Sequence, residues 1–80
     1  MSIPTLDARV HQEENKDKII IEAFDSLELG EQLLFINNND SNTLFNQLED
    51  QRFGKFEWEY IEEGPERWKV LLAKKYLNYI

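Results

Sequence analysis

Apolar and polar residues alternate with period two on both sides of a Gly64-Pro65 break. Phe56, Trp58 and Tyr60 share one face of the run before it, and Trp68, Val70 and Leu72 share one face of the run after it. Alternation around turn chemistry predicts a β-hairpin. Pairing Tyr60 with Trp68, Trp58 with Val70 and Phe56 with Leu72 keeps both apolar sets together and sets Glu59 opposite Lys69 on the other face. The loop then centres on Glu62 to Glu66. A slip of one residue would bury charge.

Upstream, Ile3 to Arg9 reads as a short strand with Leu6 and Ala8 on one side, and the polar run His11 to Asn15 as a loop. Ile19, Ile20, Ala23, Phe24 and Leu27 recur at helical spacing, with Lys16, Lys18, Glu22, Asp25 and Ser26 mostly opposite. A first helix over Lys16 to Leu27, with Asn15 as its N-cap, follows. Gln32 to Asn37 is apolar without alternation from Leu33 to Ile36, the pattern of a central strand covered in part on both faces. Strand, helix, strand in that order suggests a right-handed parallel crossover. The cluster Asn37 to Asn42 predicts a turn supplying the N-cap of a second helix, with Leu44, Phe45 and Leu48 as its buried face and Gly54 as its stop. The elements therefore run βαβαββ.

Eighty residues with ten aromatics fit one domain with one core, spanning residues 1 to 80. No apolar run approaches the ~20 residues that span a bilayer, and no basic region with an apolar stretch opens the chain. A soluble, cytoplasmic protein without a membrane partner is the expectation. The absence of cysteine removes disulfides, thiolate metal sites and thiol nucleophiles. A net charge of −7 argues against binding the phosphate backbone, so no nucleic-acid partner is expected, and Arg52, Lys55, Arg67, Lys69, Lys74 and Lys75 do not alter that expectation. The acidity is uneven. Residues 1 to 50 carry three basic and eleven acidic side chains, and residues 51 to 80 carry six and five.

Several strings occur together: Leu6-Asp7-Ala8-Arg9, Phe24-Asp25-Ser26-Leu27 followed by Gly30-Glu31, Asn37 to Gln47, Phe56 to Tyr60, and Gly64-Pro65-Glu66-Arg67-Trp68. Over about Thr5 to Lys75 they resemble a bacterial family of small domains of unknown function related to TusA and SirA. The resemblance implies an α+β, TusA-like two-layer sandwich, with two helices on one face of a four-stranded mixed sheet in the order 1-2-4-3. TusA-like sulfur carriers place a Cys-Pro-x-Pro motif at the start of the first helix, where the helix N-terminus favours a thiolate. The corresponding residues here are Glu14-Asn15-Lys16-Asp17. Typical members of the unknown-function family resemble Arg-His before the first helix and Asn-Asp-His-Asp-Pro before the second. Here Lys16-Asp17 and Asn37-Asn38-Asn39-Asp40-Ser41 stand at those places, so both histidines are replaced.

The remaining candidate chemistry is sparse. His11 alone, in a polar loop, makes a poor metal site and reads as solvent-exposed. Asp17, Asn39 and Asp40 would gather near the helix N-termini, where a weak metal or small-ligand site competes with plain capping, and capping is the favoured reading. Glu57 and Glu59 fall on a solvated strand face beside Lys69, so they do not form an acid/base pair. The aromatic stripe reads as core, since base-stacking platforms come with basic grooves. No catalytic residue and no cofactor are expected. The reading is a non-catalytic interaction or regulatory module; the alternative is an accessory protein with a weak site at Asp17, Asn39 and Asp40. A two-layer domain leaves one sheet face open, and Leu34, Ile36, Ile61 and Leu71 are expected there, rimmed by Glu57, Glu59, Arg67 and Lys69. A protein partner or a second copy is the favoured cover, with the tail Tyr76 to Ile80 as the other possibility.

Overall fold

Residues 3–75 are described by the structure, a computed structural model. Thr5–Asp7 (β1) pairs in parallel with Gln32–Asn37 (β2), whose other side pairs antiparallel with Trp68–Lys74 (β4). Phe56–Glu63 (β3) pairs antiparallel with β4, so the mixed four-stranded sheet runs β1-β2-β4-β3. Glu13–Asp25 (α1) is the crossover between the parallel strands, and Asn42–Gln51 (α2) leads from β2 into the hairpin. The α+β architecture and strand order agree with expectation.

One core explains why both helices lie on one side. Ile20 and Phe24 of α1 and Leu44 and Leu48 of α2 join Phe35, Val70 and Leu72 in a single buried cluster. Phe35 stands opposite Val70, and Leu33 opposite Leu72, so these side chains share one sheet face. Leu34 and Ile36 alternate to the other face, which explains the unbroken apolar run: β2 is central and both of its faces are partly covered.

The first strand is shorter than the expected Ile3 to Arg9. Asp7 accepts hydrogen bonds from the Arg9 backbone N–H (3.0 Å) and guanidinium (2.8 Å), bending the chain into a single 3-10 turn at Ala8–Val10. Helix α1 starts three residues before the expected Lys16, with Gln12 and not Asn15 at the N-cap; Glu13 and Glu14 suit the positive end of the helix dipole. The residue at the N-cap of α2 is Ser41, and its side chain makes no capping bond. Asp40 is therefore not the cap. Helix α2 ends at Gln51, and Gly54, at φ +74°, turns the chain toward β3.

The hairpin keeps its expected faces and changes its register. Phe56 pairs with Lys74, Trp58 with Leu72 and Tyr60 with Val70, two residues from the expected partners. The loop is tighter than Glu62 to Glu66 allows: the Gly64 N–H donates to the Arg67 carbonyl at 2.9 Å, and β3 runs on to Glu63. Gly64 is required there, because φ is +47° and an added Cβ would stand 2.7 Å from the Trp68 indole. A bulge between Tyr60 and Glu62 absorbs Ile61 and brings Glu62, not Glu59, opposite Lys69. A shift of two preserves side-chain alternation, so the aromatic stripe still faces the helices.

The shift moves Trp68 to the end of the sheet, opposite Glu63, where it is half-buried beside Tyr60 at 6.2 Å between ring centroids. Trp58 is also half-buried, though it meets Phe35 and Phe45 edge-on at 5.5 and 5.2 Å. Both indoles, expected to be largely buried, are thus enclosed only in part, and the tail from Tyr76 to Ile80 lies outside the described residues. Phe35→Ala should destabilise by about 3 to 5 kcal/mol, as large-to-small changes at closed sites do, and Trp68→Ala by less than about half of that. Urea denaturation midpoints at constant m-value check the ranking, and equal losses at the two sites would contradict it.

Candidate functional site

The polar ends of α1, β2 and α2 converge on one side chain, Lys16. It follows the helical stripe of Ile20 and Phe24 back by one turn, so the sequence places it on the buried face of α1. Its residue exposure is 4%. A charge so enclosed requires hydrogen-bond partners. The ammonium has three: Asn37 Oδ1 at 3.0 Å, Asn38 Oδ1 at 3.2 Å and Glu13 Oε2 at 2.9 Å. All three N–H donors of the lysine are thereby matched by acceptors.

The acceptors are themselves held. Asn37, the last residue of β2, takes the Asn38 backbone N–H on Oδ1 at 2.9 Å and donates from Nδ2 to the buried Ser41 hydroxyl at 3.1 Å. Asn39 Nδ2 reaches Glu13 Oε1 at 3.5 Å, and the Lys16 hydrogen bond is the main cause holding the Glu13 carboxyl below its ordinary range. The asparagine cluster expected to be a turn is a turn, with a further task of solvating an internal cation.

Asp17, Asn39 and Asp40 do line one cleft, together with Lys16, Asn37 and Ser41. Its volume of about 260 Å³ lies below the ~300 to 1,000 Å³ usual for small-molecule sites. The three expected residues do not act as one ligand set. Asp40 accepts the Tyr60 hydroxyl at 2.9 Å, and Asn39 turns to Glu13. Burial, then the nearby Glu13, raises the Asp17 pKa, with Lys16 opposing. Among the described residues no group of three or more His, Cys, Asp or Glu side chains is placed to hold a metal ion. The ammonium already stands among the oxygens that would attract a cation.

Tyr60 extends the cluster toward the aromatic stripe. Burial, then the Asp40 hydrogen bond, raises its pKa; the Trp58 indole opposes the rise, although its buried N–H has no acceptor in good hydrogen-bond geometry.

The second candidate surface is the sheet face away from the helices. Leu34 of β2 stands directly across from Leu71 of β4, and Ile36 is across from Lys69. Leu34, Ile36 and Leu71 are half-buried, and Ile61, lifted by the bulge, is 52% exposed. Along the rim, Asp7 pairs with Arg9 and Glu62 with Arg67. Lys69, Glu57 and Glu59 are in no ion pair among the described residues.

Over residues 5–74 the chain matches the family described as uncharacterized conserved protein (DUF2249), and it belongs to that family. No curated protein and no solved structure matches it.

The elevated Asp17 pKa gives a signed prediction. Its folded value lies above the unfolded one, so the carboxylate opposes folding above that window and the cost vanishes below the ordinary carboxylate range. Asp17→Asn should raise the thermal midpoint at pH 7, with the gain lost as pH falls below about 4. Loss of stability at pH 7 would instead mark Asp17 as a capping or ligand carboxylate.

Proposed function

We propose that this chain is a non-catalytic interaction or regulatory module that meets a protein partner through the helix-free face of its sheet. The observation that carries the reading is the Leu34–Leu71 pair at the centre of that face, continued by Ile36 and edged by charge. An apolar centre with a charged rim is the composition of a contact surface. The resemblance to TusA-like domains supports the non-catalytic part, because thiol chemistry needs a cysteine and the sequence has none. A bacterial, cytoplasmic protein of TusA-like fold, with Asp17 and Asn39 at the places where the resemblance implies histidine, fits the same reading.

An accessory protein with a cation or small-ligand site at Asp17, Asn39 and Asp40 is the second reading, favoured by their shared cleft. It ranks second because the Lys16 ammonium occupies the centre of the polar network. Titration with magnesium and calcium, followed by amide shifts, should leave Asp17 and Asp40 unmoved; saturable shifts at both would promote it.

The interaction reading is tested by affinity capture with three baits: the intact chain, Leu71→Glu on the open face, and Glu14→Gln on the exposed side of α1. Proteins retained by the first and third baits and lost from the second are the expected result. Capture indifferent to Leu71→Glu would sink it.

A further inference from the structure

We infer that the open sheet face binds a second copy of this chain, forming a weak two-fold dimer; the inference rests on the reading of that face as a contact surface. Charge distribution narrows the occupant first. The acidity lies on the helix layer, where α1 carries Glu13, Glu14, Asp17, Glu22 and Asp25 and α2 carries Glu49 and Asp50. A basic partner would be drawn there. The sheet face is close to neutral, because two of its rim acids are paired with arginines within the chain. It therefore suits a partner that is itself near-neutral and apolar, as another copy of the same face is.

The register then supplies self-complementarity. Counting across the sheet, one row holds Asp7, Ile36, Lys69 and Glu62, the next Thr5, Leu34, Leu71 and Glu59, and the last Gln32, Ala73 and Glu57. A two-fold axis through the Leu34–Leu71 pair, running across the strands, stacks the middle rows on each other and inverts the outer two. Lys69 of one copy then comes over Ala73 of the other, one strand from Glu57. With strands ~4.8 Å apart and packed sheets ~10 Å apart, a lysine can reach that carboxylate. Two such contacts form, using charges that no described residue pairs within the chain. An axis along the strands would instead set Lys69 over Ile36. In the chosen arrangement Glu59 meets its own copy at the rim, and Glu62, held by Arg67 within its own chain, comes over Glu57 of the other copy; both like-charge contacts limit affinity.

Size sets the strength. Four strands, one of three residues and the others of six to eight, span at most roughly 19 by 20 Å on the shared rows, a modest footprint beside the ~800 Å² per partner of stable complexes. Association should therefore appear between about 0.1 and 1 mM.

Sedimentation of the intact protein over that range, with a melt of each variant at low concentration as a folding control, tests the inference. The expected result is a concentration-dependent dimer that Leu71→Glu abolishes, Lys69→Glu weakens about tenfold, and Lys69→Glu with Glu57→Lys restores. Glu59→Gln should tighten it. A protein monomeric throughout, a dimer indifferent to both Leu71→Glu and Lys69→Glu, or a dimer formed only by a chain ending at Lys75 would overturn the inference. The last outcome would assign the cover to residues 76–80. A monomer whose capture of other proteins still depends on Leu71 would leave the interaction reading standing and reject only self-association.

Discussion

Burying the Lys16 ammonium is the constraint around which one end of this domain is arranged. An ion removed from water without partners costs several kcal/mol, more than one residue's share of a marginal stability. Three oxygens offset that cost, and each comes from a different place: Glu13 from the first turn of α1, Asn37 from the end of β2, and Asn38 from the turn into α2. Fixing those oxygens fixes the relative positions of three elements. It also accounts for the absence of a side-chain cap on α2, since the Ser41 hydroxyl at its N-cap is engaged by the Asn37 amide.

The opposite end is tied by cations as well, at the surface. Lys74 of β4 donates to the Asp25 and Leu27 carbonyls at 2.9 and 2.8 Å, occupying acceptors that the end of α1 leaves open, and its ammonium lies 5.3 Å from the Phe24 ring centroid. Arg52 makes a two-pronged contact with Asp25, joining the C-terminal ends of both helices. Solvent weakens such exposed pairs, so they orient the helices more than they stabilise them. The central strands lie between these two polar clamps, and Phe35, Val70 and Leu72 supply the burial that holds the layers together.

The faces of this fold were legible in the sequence because alternation survives any even slip of register. The register itself was not. It depends on how tightly Gly64 to Arg67 closes and on the bulge that absorbs Ile61, neither of which alters the apolar pattern. Trp68 was assigned to the core on pattern alone, whereas its depth is set by the register. Lys16 was legible in principle: it stands four residues before Ile20 and eight before Phe24, on their stripe, but charge assigned it to the solvent side. The asparagines that satisfy it come from sequence positions more than twenty residues away, and only the crossover brings them near.

The two sheet edges resist association, which directs attention to the face between them. β1 offers three residues, preceded by Pro4, which has no backbone N–H, and followed by a 3-10 turn. β3 is long enough to accept another strand, but it carries Glu57, Glu59, Glu62 and Glu63 and bends at its bulge. Short, bulged and charged edges are the devices by which sheets avoid edge-to-edge growth. Leu34, Ile36 and Leu71 lie on the two inner strands, away from those defences. A partner that approaches an edge meets like charge or a broken ladder. One that approaches the face meets Leu34, Ile36 and Leu71, apolar side chains that the strand order leaves outside the helix layer, so the same topology that guards the edges leaves the face as the place for the proposed contact.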